Sequence, residues 1–325
     1  MKICFLDSSK LPYTSNDLHT NIIRGGESII INLSKEISKL GHEVTVFNEY
    51  HSETVINNVK WSNINNANLN MLYDLAISNN DLRLFKKINA RKYLAFSHSI
   101  QSIEKFIRKK QLFSYLKYRP KIILLSNYHS KNRNIFLKIF GSKQLEWAVD
   151  DIFLNTSIDN DLVENRAIFT SREDRNLNIL IDIWKNKIFS QNKTSKLYVT
   201  PSVLIDNKYN IFCRNFSTRN FLIKDLIKSK VYLVPGHKSE LFCIAAEEAR
   251  ELCIPIVTLG IGCLSERVIH GQTGFVAKNK DEFAKYTLDI LNDNSIWNEL
   301  RNNLIKLRGS RQWLDVASNL IKDYH

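Results

Sequence analysis

The stretch KVYLVPGHKSELFCIAAEEARELCIPIVTLGIGCLSERVIHGQTGFV, residues 230–276, decides the fold. Its apolar run, Val231-Tyr232-Leu233-Val234, predicts a buried parallel strand that stops at Pro235-Gly236. Glu240 follows in a loop, residues 244–252 have helical character, and Ile256-Val257-Thr258 is the next short strand. Strand, loop, helix, strand puts Glu240 at the carboxyl edge of a parallel sheet, where α/β folds bind ligands. Seven residues separate Glu240 from Glu248, so one acid precedes the helix and the other lies inside it. Between them, at Phe242, Cys243 and Ile244, the first amide groups of the helix have no partner within it and suit an anion.

The chain around this block has 325 residues, enough for two α/β domains of ordinary size with two real cores. Its formal net charge is +13 and its pI about 9.4, which suggests an anionic ligand, an anionic membrane surface or nucleic acid. The charge reads as spread widely and no recognised nucleic-acid module is present, so nucleic acid is not an expected partner. No apolar run approaches the roughly 20 residues needed to cross a bilayer. The start, Met1-Lys2-Ile3-Cys4-Phe5-Leu6-Asp7, is too short and too soon acidic for a signal peptide and reads as a first strand. Five cysteines (Cys4, Cys213, Cys243, Cys253, Cys263) sit in apolar surroundings without a C-x-x-C pair, which predicts buried reduced thiols in a cytoplasmic protein.

Strand and helix alternate along both halves, the rhythm of doubly wound domains. Strand 2–6 leads to Gly25-Gly26-Glu27 and then to a helix with Ile30, Leu33, Ile37 and Leu40 on one face, closed by Gly41. Strands follow at 43–47, 75–78, 93–97 and 122–125, and Ser126 caps a helix running towards Phe140. The polar stretch 155–165 is the linker candidate. Beyond it come strand 167–170, helix 177–187, strands 197–200 and 210–213, helix 219–227, the opening block, and three helices at 282–291, 296–308 and 313–324. The expected fold class is α/β, with two Rossmann-like doubly wound domains facing a cleft. Residues 1–155 form the first domain, 156–310 the second, and 311–325 a C-terminal helix crossing back to the first.

Residues 230–276, with Glu-x7-Glu followed by Gly262, Glu266-Arg267-Val268, Gly271 and Gly274-Phe275, resemble the donor-binding half of GT-B glycosyltransferases of the retaining family 4 type. The resemblance extends over most of the chain. Gly25-Gly26-Glu27 is similar to the family's glycine loop, where the missing Cβ lets the backbone approach a phosphate or sugar. Gly41-His42-Glu43-Val44 is similar to its Gly-His-x-Val, with His42 filling a tight turn. His98 follows a strand, as does the family histidine beside the donor sugar. Phe169 to Leu177 (FTSREDRNL) resembles the strand–loop–helix whose cations hold the diphosphate, here Arg172 and Arg175; the residues alone also allow a solvated surface cluster.

What the resemblance implies can be stated residue by residue. Glu240 contacts the transferred sugar, Glu248 accepts from the ribose, and Glu266 caps or orients the nearby loop. Glu247 and Glu251 have no counterpart and are expected to face solvent. The family's Glu-Gly-Phe-Gly has become Glu240-Leu241-Phe242-Cys243, which loses both glycines. The implied activity is retaining transfer of a hexose-type sugar from a UDP- or GDP-sugar to a hydroxyl of a glycan or lipid-linked acceptor. No metal and no further cofactor are expected, and Asp159-Asn160-Asp161 falls in the linker candidate instead of following a strand. Glycolipid, lipopolysaccharide or other surface-glycan synthesis is the setting. Two alternatives use the same fold: a sugar-nucleotide 2-epimerase and a catalytically degenerate partner subunit. Residues 103–121, IEKFIRKKQLFSYLKYRPK, interleave lysines and arginines with aromatic and aliphatic side chains, which suits peripheral binding to an anionic membrane from the cytoplasmic side.

Overall fold

The apolar runs become the strands of two sheets in the computed structural model, which describes residues 1–200, 206–214 and 217–324. The first sheet contains β1 (Lys2–Asp7), β2 (Glu43–Asn48), β3 (Thr54–Ile56), β4 (Val59–Asn63), β5 (Leu72–Asn79), β6 (Asn89–Phe96), β7 (Lys121–Leu124) and β8 (Ser142–Gln144). Their order is β3-β4-β2-β1-β5-β6-β7-β8, parallel throughout except for β3 against β4. The edge strands β3 and β8, and β4 beside β3, were not expected from sequence, and β8, Ser-Lys-Gln, carries no apolar side chain to announce it. The second sheet contains β9 (Glu164–Phe169), β10 (Lys196–Val199), β11 (Ile211–Cys213), β12 (Ser229–Leu233), β13 (Ile256–Thr258) and β14 (Gly274–Val276). It is ordered β11-β10-β9-β12-β13-β14, every pair parallel.

The chain divides into one unit of Met1–Ala148 together with the segment from Gln312 onward, and a second of Val149–Arg311. The polar stretch 155–165 therefore does not link domains. It lies inside the second unit, where Asp150 caps helix Asp151–Asn155, Asp159 caps a turn at Asn160–Leu162, and β9 begins. Polarity there reflects capping side chains instead of chain flexibility.

In the first unit, helix Gly25–Lys39 buries Ile30, Leu33 and Ile37 completely. Leu40, expected on the same face, is its exposed C-cap, and Gly41 at φ +87° ends the helix. Helix Trp313–Ile321 packs against this helix, and the Trp147 and Trp313 rings stack at 6.1 Å. The single helix expected over 126–140 is instead two pieces, Asn127–Lys131 and a 3-10 turn Ile135–Lys138. Asn134 caps the second piece by accepting the Phe136 amide at 3.0 Å, while Arg133 turns into the interior. All five cysteines are free; four are buried and Cys213 is half-exposed.

The second unit builds its core from β9, β10, β12 and β13 (Phe169, Val199, Val231, Val257) against Leu180, Trp184, Phe283 and Leu291. The helix following β12, Ile244–Glu251, corrects one expectation. Glu247 and Glu251 are 2% and 1% exposed, so neither faces solvent. Glu247 pairs with Arg250 at 3.0 Å, Arg267 at 3.2 Å and Arg311 at 3.2 Å, and Glu251 accepts the Gly309 amide at 2.8 Å. One carboxylate thus neutralises cations from three parts of the unit. Replacing Glu247 by alanine removes the buried carboxylate that faces three guanidinium groups, although Arg250 keeps Glu251, so a loss of about 3–5 kcal/mol is expected in denaturant unfolding. Glu247→Gln should lose less, and a near-neutral Glu247→Ala would show the network to be dispensable.

Candidate active site

The order β11-β10-β9-β12-β13-β14 reverses direction between β9 and β12, and a crevice opens beyond the carboxyl ends of strands at such a reversal. The loops leaving these two strands carry the site residues. After β9, Asn176 adopts the left-handed conformation at φ 65° and caps helix Leu177–Ile183. Its side-chain amide donates to the Gly236 carbonyl, tying the two loops together. Arg175 then reaches Glu240, Nε to Oε2 3.3 Å, and places Nη1 3.1 Å from His237 Nδ1. Arg172 lies further out, exposed and forked onto Asp174, Nε to Oδ1 2.9 Å. Of the two arginines, only Arg175 is held against Glu240.

Two glycines shape the loop after β12. At Gly236, φ +95°, an added Cβ would meet the Ile261 carbonyl oxygen at 2.6 Å. At Gly262, φ +78°, it would meet the His237 oxygen at 2.4 Å and the Glu240 oxygen at 2.8 Å. Such approaches exclude every side chain. The Cys263 amide closes the turn by donating to the Glu240 carbonyl at 3.1 Å. Burial raises the Glu240 pKa, partly offset by Arg175 and Arg172. Glu266 is half-buried in the short turn Leu264–Glu266.

Cys243 caps helix Ile244–Glu251 with φ 61°, a conformation that glycine adopts freely and a cysteine does not. The backbone here thus follows a path that suits glycine although the residue is cysteine. Leu241 needs no such freedom, and its side chain is buried, as is Phe242, which packs under Arg267 at 5.0 Å. The Ala246 and Glu247 amides are taken by the Cys243 carbonyl, whereas the Ile244 and Ala245 amides donate to no acceptor among the described residues. Beside Arg175, this end of the helix is a donor surface for an anion. Glu248, one turn on, is buried near the Arg219–Asp150 ion pair (3.4 Å), and burial raises its pKa to about 7.

The first unit brings its own residues to the reversal between β1 and β5. His98, after β6, has Nε2 2.9 Å from Asn79 Oδ1, and its amide donates to Asn80 at 2.9 Å. The residue as a whole is half-buried, and burial of its ring lowers its pKa to about 4, so it is neutral at pH 7. Gly26, in the first turn of helix Gly25–Lys39, faces this pair: a Cβ there would lie 3.6 Å from Asn79 and 3.9 Å from His98. Sequence reasoning missed Asp7, which ends β1, accepts from Tyr13 at 2.7 Å and Asn79 at 3.2 Å, and has its pKa raised by burial. It missed Asn176 and His237 as well. Asp7, an acid closing an apolar strand, carried a signal; the other two act through loop geometry alone.

With this geometry established, the likenesses to known proteins are informative. The family described as Glycosyl transferases group 1 matches residues 206–307, about a third of the chain. No curated protein matches the whole sequence significantly. Solved structures match it nearly end to end. HepE from Anabaena, in complex with UDP and glucose, is 15% identical over 99% of both chains with a TM-score of 0.73. Sucrose-phosphate synthase from Thermosynechococcus elongatus is 14% identical over 99% of this chain and 98% of its own, TM-score 0.68. WaaG, a glycosyltransferase involved in lipopolysaccharide biosynthesis, is 12% identical over 99% of both, TM-score 0.66. The protein has the GT-B fold. Its segment 206–307 carries the sequence pattern of the group 1 glycosyltransferases within that fold.

The raised pKa of Glu248 generates a prediction. In the folded chain it stays protonated up to about pH 7, while unfolded it ionises near 4.5. The wild type should therefore lose stability as pH rises from about 4.5 to 7. Glu248→Gln lacks this slope and should be more stable at pH 8 by up to about 3 kcal/mol, with no gain at pH 4. Parallel pH profiles of the two proteins would contradict the burial of an ionisable carboxyl at this point.

Proposed function

We propose that the protein is a retaining glycosyltransferase that moves a hexose-type sugar from a nucleoside diphosphate sugar, UDP- or GDP-linked, to an acceptor hydroxyl. One observation carries the reading: in the loops after β9 and β12, where the second sheet reverses its order, Arg175 holds Glu240, and the helix that follows starts with the unpaired amides of Ile244 and Ala245. The likeness to HepE, whose structures hold UDP, glucose and UDP-glucose, supports a nucleotide-sugar donor. Arg175, with Arg172 at the rim, and the amides at Phe242–Ile244 stabilise the diphosphate as it leaves. Glu240 positions the sugar hydroxyls and Glu248 takes the ribose. The bond breaks on the face from which the acceptor arrives, through an oxocarbenium-like state. Neutral His98 and the glycines Gly25 and Gly26 are the candidate ligand contacts of the first unit. The left-handed conformation kept at Cys243 favours an intact site over a degenerate partner subunit.

Substitutions should separate these roles. Arg175→Ala should weaken UDP or GDP binding by about tenfold or more, a charge-assisted contact being worth about 1.5–3 kcal/mol. Glu240→Gln should lower turnover more than nucleotide affinity. Unchanged constants in both variants would remove these residues from the site. Because arginine and helix amides supply the positive charge, activity should persist in excess chelator. Complete loss that is restored by a divalent cation would overturn that part of the mechanism.

The acceptor and the location belong to the same proposal: a glycan or lipid-linked acceptor, reached at the inner face of a membrane. Positive charge is less evenly spread than composition suggests, since residues 105–145 hold eleven Lys and Arg and no Asp or Glu. In the same region Ile107, Phe113, Leu116, Ile135, Phe136 and Ile139 are all at least 50% exposed. Lysines with exposed apolar side chains match an anionic bilayer surface. Among the described residues no helix is long and apolar enough to cross a membrane. Co-sedimentation with anionic vesicles at low salt is expected and with neutral vesicles is not; equal behaviour would remove the surface from the account.

A further inference from the structure

The loop and helix after β6 carry cations that the donor chemistry does not use. Lys105 donates to the Ser99 hydroxyl. Lys105, Lys109, Ser99 and Gln101 line a cavity together with Asn80, which holds the His98 amide. Ser97 and Ser99 both line it, so the cavity flanks His98 on either side in the chain. Behind it, His129 is buried with Nε2 2.9 Å from the Gln101 amide nitrogen. Arg133 is 4% exposed, and its Nε and Nη1 have no hydrogen-bond partner.

The charged side chains that line this cavity, Lys105 and Lys109, are of one sign. Burial lowers the Lys105 pKa, and the neighbours that lower it further are Lys109 and Arg108. Burial likewise holds His129 at about 4, helped by Arg133, His98 and Lys105. Among the described residues no carboxylate pairs with Lys105, Arg108, Lys109 or Arg133. Partly buried positive charge without a counter-ion opposes folding and is compensated when an anion binds. The groups free to donate are the remaining Lys105 protons, the Ser99 hydroxyl and the exposed Lys109. Several donors, two of them cationic, suit a phosphate group, whose oxygens accept several charge-assisted hydrogen bonds.

We propose that this cavity seats a phosphate group of the acceptor, a phosphomonoester or phosphodiester, held by Lys105 and Ser99 beside His98. The assignment rests on the transferase reading, since it names the acceptor class for that reaction. The phosphate can belong to a soluble phosphorylated sugar or alcohol, or to a lipid headgroup; the chemistry at Lys105 is the same.

The test is calorimetric titration of the full chain at low salt, first saturated with UDP so that the donor site is filled. Glycerol 1-phosphate should bind and glycerol should not. Lys105→Met should weaken glycerol 1-phosphate at least fivefold, Lys105→Arg should retain most of the affinity, and UDP affinity should be the same in all three proteins. Equal binding of glycerol, or equal glycerol 1-phosphate affinity in wild type and Lys105→Met, overturns the subsite. Failure of the wild type to bind UDP contradicts the transferase reading instead, and the Lys105 comparison then still reads the subsite by itself. Displacement of glycerol 1-phosphate by phosphatidylglycerol vesicles but not by phosphatidylcholine vesicles assigns the phosphate to a lipid headgroup. Displacement by neither assigns it to a soluble acceptor.

Discussion

The second unit of the protein depends on a backbone constraint: two strands of loop pass each other at a distance that permits no Cβ. Gly236 and Gly262 sit where an added carbon would meet carbonyl oxygens at 2.6 and 2.4 Å. This crossing fixes the turn that ends at Glu240, and Cys263 locks it by hydrogen-bonding the Glu240 carbonyl. Once Glu240 is fixed, Arg175 has a partner, and helix Ile244–Glu251 starts shortly after it with two unpaired amides. The pairing of Arg175 with Glu240 is here a consequence of loop geometry, since the backbone between the two glycines cannot relax.

Charge is managed differently on the two faces of that helix. Glu247 and Glu251 look inward and neutralise arginines, holding the unit together. Glu240, in the loop before the helix, and Glu248, within it, are desolvated carboxyls with raised pKa values, a condition that costs stability at neutral pH and is common at ligand sites. Four glutamates within twelve residues thus divide into two structural and two available groups.

Much of this was legible in the sequence. Apolar runs and punctuating glycines located the inner strands of both sheets, and the spacing from Pro235 to Glu248 pointed to the loop where Arg175 pairs with Glu240. The failures have physical causes. Glu247 and Glu251 looked solvent-facing because a buried glutamate is recognisable only with its arginines, and Arg267 and Arg311 are distant in sequence. The stretch 155–165 looked like a linker because capping aspartates and asparagines have the composition of flexible chain. Cys243 looked like a lost glycine, yet its φ of 61° shows that side chain and backbone conformation can part company. His237 and Asn176 gave no signal, for their roles arise from two loops meeting across the reversal in strand order.

The most direct test of the central claim, that the second unit holds a nucleoside diphosphate by its two phosphates, is a thermal-shift series with UDP, GDP, ADP, CMP and their common sugars. A ligand at about 100 times its Kd adds ~2.7 kcal/mol to stability, which for a chain of this size is a rise in Tm of several degrees. The account predicts such a rise for at least one nucleoside diphosphate and its sugar, and little for CMP. No shift with any diphosphate, or a shift with CMP as large as with the diphosphates, would contradict it.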